Sequence, residues 1–372
     1  MKIISVNSAS LLAEFINVHR LIYKNNPDWV CPLDNDIKKV LDPNHNLAFK
    51  TGESAQWILK TADNKAIGRI AAFYNSDNFK ENERAGGIGF FECIDDTAAS
   101  KLLFDTAIEW LQSKGINMVD GPINFGEKNA FWGLMVQGFK NPSYKENFNW
   151  PYYENLFLAY GFKQLTEQTT SEITYQTFDM ARFRKMSDRV LANPIYSFEH
   201  FKMNNLKKYA LDFVEVYNQA WAHREDFVPM DEARIMAELK QLKPIIIEEA
   251  IWFAYANGKP IGFYVSVIDI NEIFKHVNGK MNWLGIIKFF FYKTFGTVRR
   301  IRGEVFGVAP AYQEKGIETA MIIQLYDSMQ KYPEINASEL AWIGDFNPKM
   351  HGLFHKLGAR TTKVHRTYRM AI

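Results

Sequence analysis

Only two of the 372 residues are cysteine, Cys31 and Cys93, too few for a disulfide framework or a four-cysteine zinc site. Charge of one sign is lacking as well. The 44 Lys and Arg stand against 42 Asp and Glu, a formal charge of +2, so no strong basic field marks a nucleic-acid binder. Long apolar runs are missing too. The longest, Trp283 to Phe295, has 13 residues and is interrupted by Lys288, short of the ~20 apolar residues a membrane-crossing helix needs. The opening residues carry Ser5, Asn7, Ser8 and Ser10 where a signal peptide needs an unbroken apolar stretch. These absences predict a cytoplasmic protein with neither a membrane nor a nucleic acid as partner.

What is present is apolar and aromatic. Apolar residues make up 47% and charged residues 23%, with 29 Phe, 17 Tyr and 9 Trp, the composition of a folded globular chain rich in core and pocket-wall side chains. At ~100–200 residues per domain, the length predicts two or three domains.

Two stretches read as coarse copies of one another. In the first, strands at Gln56–Leu59 and Ile67–Phe73 flank the turn Ala62-Asp63-Asn64-Lys65, and Gly89–Ile94 is a third strand. A helix follows from Thr97 to Lys114, with Ala99, Leu103, Ala107 and Leu111 on one ladder and Gly115 as its stop. Then come a strand at Asn117–Val119, a long loop, a helix over Tyr152–Tyr160 and a strand from Phe162. In the second copy, strands at Ala250–Tyr255 and Ile261–Ile268 flank Asn257-Gly258, a pair suited to positive φ. Strand Arg302–Val308, helix Glu314–Gln330, strand Leu340–Ile343, helix Pro348–Leu357 and strand Thr362–Met370 complete it. Strands alternating with helices predict an α/β layered fold with a parallel step between the central strands. The boundary between copies is expected between Tyr175 and Phe198, giving domains at 1–180 and 195–372, with a helical insertion at about 273–300.

The doubled order β-β-β-α-β-α-β resembles the GCN5-related N-acetyltransferase (GNAT) superfamily. In the second copy, Gly307 to Ile317 is similar to that family's acyl-CoA loop, and Asp345-Phe346-Asn347-Pro348 with Leu357-Gly358-Ala359-Arg360 to its second motif. The first copy, through Gly68 to Ala72, Gly89 to Glu92, Gly121 to Asn124 and Gly138-Phe139, resembles an uncharacterised bacterial branch. The resemblance spans most of 50–175 and 200–372. It implies two GNAT-like folds in tandem, each a mixed sheet flanked by helices.

It also implies chemistry. The family holds the CoA pyrophosphate on backbone amides at a helix start, where small residues let the chain approach the phosphates. Here that site is Gln313-x-x-Gly316-x-Glu318, with Val308, Glu314, Lys315, Ile317 and Asn347 as neighbours. Glu318 stands where the family has glycine or alanine, a repulsive charge beside a pyrophosphate. The first copy has Ile94-Asp95-Asp96-Thr97 instead, without glycine, and reads as an ordinary capped helix start. Glu304 is the candidate general base. The tyrosine that protonates the leaving thiolate in the family is Phe354 here, and Phe157 in the first copy. His351 and His355 share a helix face, and His355 is the candidate replacement acid. No third ligand accompanies them, and no metal is expected.

Asp34-Asn35-Asp36 lacks the glycine and glutamate of a calcium loop. The long loop from Asn124 to Trp150, with Asn124, Asn129, Trp132, Tyr152 and Tyr153, is the candidate rim of a substrate pocket. Trp283 to Arg302 interleaves basic and aromatic residues, a pattern that can bind a nucleic acid or lie on a membrane surface; the near-neutral charge and the position between two strands favour a helical cover for the core or the substrate cleft. Three functions stay open: acyl-CoA-dependent transfer to a small amine, a binding protein that kept the fold and lost CoA, and aminoacyl-tRNA-dependent transfer.

Overall fold

A computed structural model describes residues 1–128, 130–174, 180–222 and 229–372. The first half opens with strand β1 (Lys2–Ser5), helix α1 (Ala9–Ile22) and helix α2 (Asp34–Leu41). Strands β2 (Gly52–Lys60) and β3 (Ala66–Asn75) form a hairpin whose turn sets Asn64 at φ 67°. Strand β4 (Ala85–Cys93) leads into helix α3 (Thr97–Ser113), whose ladder Ala99, Leu103, Ala107 and Leu111 is fully buried. Strand β5 (Met118–Gly121), strand β6 (Leu134–Gln137), helix α4 (Tyr153–Tyr160) and strand β7 (Lys163–Thr174) complete it.

The second half follows the same order after helix α5 (Met180–Leu191). Strand β8 (Tyr196–His200) and helices α6 (Leu206–Trp221) and α7 (Glu232–Leu242) precede the hairpin of β9 (Ile251–Ala256) and β10 (Lys259–Ile268). Helices α8 (Asn271–Phe274) and α9 (Trp283–Phe295) then interrupt the sheet before strand β11 (Arg300–Val308). Helix α10 (Ile317–Met329), strand β12 (Ala337–Gly344), helix α11 (Pro348–Lys356) and strand β13 (Arg360–Ala371) close the chain.

All thirteen strands of the described residues join one sheet, in the order β1-β2-β3-β4-β5-β13-β7-β12-β11-β10-β9-β8, with β6 on β13. Its neighbours are antiparallel except β4–β5 and β11–β12. The centre shows how the halves are tied. The last strand of the second half, β13, pairs with β5 of the first, and the last strand of the first half, β7, pairs with β12 of the second. Each half thus completes the other's sheet. Tyr368 of β13 accordingly packs in the first half's core, 5.7 Å from Phe157 between ring centroids. Ile173 of β7 packs against Ile323 of α10 in the same way.

Helices cover both faces. In the first half, α3 and α4 bury Leu103, Phe104 and Phe157 on one side, and α1 buries Phe15 and Ile16 on the other. In the second, α10 buries Ile317, Met321, Leu325 and Met329, while α6 places Phe213 against Phe253 and Phe263.

Both parallel pairs part. Strands β4 and β5 pair only over Ala85–Gly87, and β11 and β12 only over Arg300–Gly303. In the first half the gap is refilled by the chain itself. Ile123 donates its N–H to the Ile88 carbonyl at 2.8 Å, and a side chain at Gly89 would meet the Ile123 carbonyl oxygen at 2.2 Å. Among the described residues no segment enters the second gap in this way.

Two expectations need correction. Part of the 124–150 loop is strand, because β6 takes up the edge of β13 that β5 leaves free beyond Tyr368. The cover expected over Trp283–Arg302 holds only in part: α9 buries only Gly285 and Phe289, while Ile273, Phe274 and Val277 before it close a core cluster together with Phe289. The apolar residues of α9 lie all round the helix, and only one stripe can face inward.

Candidate active site

The end of β11 is built differently from the end of β4. Helix α3 is capped by Asp96, whose carboxylate accepts from the N–H of Ala98 at 2.8 Å and Ala99 at 3.0 Å. That anion-binding helix start is already satisfied. Helix α10 has no side-chain cap. Gly316 stands before it at φ 83°, and Glu314 is also left-handed at φ 63°. Among the described residues, none of the backbone N–H groups from Glu314 to Thr319 donates to a main-chain carbonyl. Gln313 braces the loop, its Nε2 donating to the Val308 carbonyl at 3.1 Å. Lys315 lies over the Tyr312 ring at 5.1 Å, and Ile317 is buried beneath the loop. Such a row of amides without main-chain acceptors at a positive helix end is an anion cradle.

Glu318 turns into that cradle. Its half-buried carboxylate lies against its own N–H and that of Glu314, and burial raises its pKa above the ordinary glutamate value. A carboxylate therefore stands where a phosphate would bind.

Glu304 occupies the bulge of β11, where pairing with β10 shifts between Val265 and Ser266. It is exposed, and its carboxylate lies 3.4 Å from Arg302 Nε. Arg302 is buried and also reaches Glu146 at 3.5 Å, which carries the 124–150 loop to the parted strands. Around them sits an ion cluster. Lys363 lies 2.8 Å from Glu146, 2.9 Å from Glu339 and 3.2 Å from the Ser143 hydroxyl. Arg300 pairs with Asp269 and lies 3.3 Å from Glu339. Burial alone would raise both carboxyls and lower the lysine. At Glu146 the cations Lys363 and Arg302 outweigh burial and hold the carboxyl well below the usual range. At Glu339 burial wins and the pKa is raised, while its two flanking acids keep Lys363 protonated. Burial also holds His365 neutral, with Nε2 donating to the Asn147 carbonyl at 3.0 Å.

A second polar cluster lines a cavity of the first half, between His19, Trp29, Arg69, Glu92, Phe148 and Asn149. Glu92 accepts from the Tyr23 hydroxyl at 2.6 Å and the Tyr153 hydroxyl at 2.9 Å, and from Arg69 at 3.2 Å. Arg69 also donates to the carbonyls of Phe15 and Ile16 and to His19 Nδ1. His19 Nε2 then faces Cys31 Sγ at 3.5 Å. Burial raises the Glu92 pKa, depresses that of His19 and pushes the Cys31 thiol up to about 12. Cys31 is therefore a thiol at neutral pH and no nucleophile.

The expected rim residues divide. Tyr153 lines the cavity, and Tyr152 lies beside it with its hydroxyl on the Cys93 carbonyl at 2.8 Å. Asn124 donates to the Glu127 carbonyl and Trp132 to Thr367 Oγ1, so both brace the loop. Asn129 lies outside the described residues. Asn347 caps α11, accepting from the Met350 N–H at 3.2 Å. His351 reaches the Gly344 carbonyl at 3.2 Å, and His355 is exposed. Phe354 and Phe157 are packing residues. No cluster of metal-ligating side chains occurs among the described residues.

The sequence reading missed the roles of Arg69, Glu92, His19 and Glu146. A signal for two of them was present: Arg69 and Glu92 each interrupt an apolar strand, and β3–β4 pairing sets them opposite one another.

No family model matches the chain. It is 25% identical to protein YghO of Escherichia coli over 97% of this chain and 93% of that one. It is 24% identical to the bacterial ceramide synthase of Caulobacter vibrioides over 100% of this chain and 98% of that one. Among solved structures, a tandem GNAT protein from the clavulanic acid biosynthesis pathway superposes with a TM-score of 0.56 at 10% identity, covering 100% of this chain and 98% of the other. At that identity the likeness is one of fold.

Proposed function

We propose, for a chain that carries the GNAT fold twice in tandem, that the second half transfers an acyl group from acyl-CoA to an amine. The observation that carries this reading is the uncapped α10 start behind Gly316, set beside strands that part after Gly303. The amides from Glu314 to Thr319 would hold the pyrophosphate, with Gln313 fixing the loop and Val308 flanking the acyl chain. Glu304, at the bulge, would take a proton from the amine directly or through one water. The amine nitrogen attacks the thioester carbonyl, the C–N bond forms, and the C–S bond breaks to release the CoA thiolate. His351 is engaged by the Gly344 carbonyl, so return of a proton to the thiolate falls to His355. The acceptor would enter between the halves, where Glu146 brings the long loop to Arg302. An amine acceptor is also supported by the name of the Caulobacter relative, since a ceramide is the N-acyl derivative of a long-chain amino alcohol.

A second reading has one observation in its favour: the half-buried Glu318 carboxylate lies near two of the amides that CoA would need, its own and that of Glu314. A protein so arranged binds some other ligand and has lost CoA. Calorimetric titration of wild type and Glu318→Gly with acetyl-CoA and a long-chain acyl-CoA separates the two. Binding by the wild type, with CoA thiol released when an amine is added, supports transfer. Binding by Glu318→Gly alone supports the second reading, and binding by neither removes both the cradle and the acyl-transfer proposal.

A further inference from the structure

Helix α9 is apolar and outward-facing, an arrangement that isolated surface residues do not produce. Trp283 is 68% exposed, Ile287 59%, Phe291 53% and Phe295 75%. Leu284, Ile286 and Phe290 are exposed beside them. At roughly 100° per residue these side chains fill an arc of about 180°, opposite the inward stripe of Gly285, Phe289 and Tyr292. Lys293 and Lys288 fall at the two borders of that arc.

Both charges on the helix, Lys288 and Lys293, are positive; the nearest acid before it along the chain, Glu272, is engaged by the Arg299 N–H at 2.6 Å. Residues 273–303 contain Lys275, Lys280, Lys288, Lys293, Arg299, Arg300 and Arg302 and no Asp or Glu. Arg300 and Arg302 are consumed by the buried ion cluster. The four lysines and Arg299 are exposed, and among the described residues none has a carboxylate within ion-pairing distance. Two copies of α9 packed face to face would bring lysine borders against lysine borders, so a second copy of this chain is a poor partner for this face.

An apolar face edged on both sides by lysines, with aromatic rings at its centre and end, matches a helix lying in the plane of a bilayer surface. The rings would enter the acyl boundary, and the lysines would meet headgroup phosphates. We propose that α9 docks the protein on the surface of a membrane containing anionic lipid. The helix does not cross it: no helix among the described residues is long and apolar enough. The inward stripe fixes the orientation, because Phe289 packs on Phe274, and Phe274 lines a crevice with Tyr144 and Glu146 at the join of the two halves. Docking would thus set that crevice beside the lipid. The proposal stands whether or not the chain transfers acyl groups.

The test is sedimentation of the full chain with vesicles of phosphatidylcholine alone and of phosphatidylcholine mixed with phosphatidylglycerol. Wild type is expected in the pellet with the mixed vesicles and largely in the supernatant with the neutral ones. Two variants follow, Trp283→Ser/Ile287→Ser/Phe291→Ser and Lys288→Glu/Lys293→Glu, all at exposed positions, with circular dichroism checking the fold. Each is expected to bind roughly tenfold or more weakly. A wild type that stays in the supernatant with anionic vesicles overturns the proposal, as does undiminished binding by the first variant. A wild-type dimer that this variant converts to monomer assigns the face to a second copy and overturns it equally.

Discussion

Glu318 illustrates how one side chain can decide whether a site is open. Its folded pKa is raised by burial, so it protonates at a higher pH than an exposed glutamate. Below that pKa the carboxyl is neutral and repels no phosphate; above it the charge is present. Affinity for acyl-CoA should therefore rise as the pH is lowered from neutral, and calorimetry on Glu318→Gln should show tighter binding with that dependence gone. The same shift means the charged form is disfavoured by folding, so its contribution to stability falls as pH rises through the folded pKa. Lys363 is the opposite case, a buried cation whose pKa is raised by Glu146 and Glu339. Its contribution is present at neutral pH and lost only under strong base. Lys363→Met would take the shared cation from two buried acids, leaving Glu146 to Arg302 and Glu339 to Arg300, and should cost about 3 kcal/mol in urea denaturation.

At the scale of elements, α3 and α10 occupy matching places and differ in their first residue. Asp96→Ala removes a cap and should cost about 1 kcal/mol of stability, without altering acyl-CoA titration. Gly316→Val meets a left-handed backbone at φ 83° and the Val190 methyl at 3.0 Å. It should cost about 1–3 kcal/mol and remove binding together with stability. Much of this was legible in the residues. Asp95, Asp96 and Thr97 mark a capped helix start, of which the structure uses Asp96, and the stripe Ile317, Met321, Leu325, Met329 marks a buried helix. The Arg69–Glu92 pairing was not legible, because a charge inside an apolar strand does not say which partner across the sheet satisfies it.

For the whole molecule, the exchange of β7 and β13 makes the halves interdependent. Removing residues 360–372 takes a strand from between β5 and β7 and Tyr368 from the first half's core. Both halves should then lose cooperative structure, seen as loss of a single sharp thermal transition in calorimetry. Residues 1–174 expressed alone should be largely unfolded or aggregated, because β5 and β7 would be left as bare edges.

The amino-acid sequence by itself determined the repeated elements from Gln56 and from Ala250 onward and their doubled order, since periodicity, turn pairs and capping residues act over a few positions; it did not mark β1, α1 and α2 or β8, α6 and α7, which precede each copy. It also determined the contrast between the capped α3 and the glycine-led α10. Only the tertiary structure decided that the final strands cross between halves, because strand pairing depends on free edges brought together from residues nearly 200 positions apart in β7 and β13. It likewise decided that Glu318 turns inward, that Glu146 meets Lys363, and that α9 faces outward. Each of these depends on which side chains share a buried space, and sequence spacing does not record that.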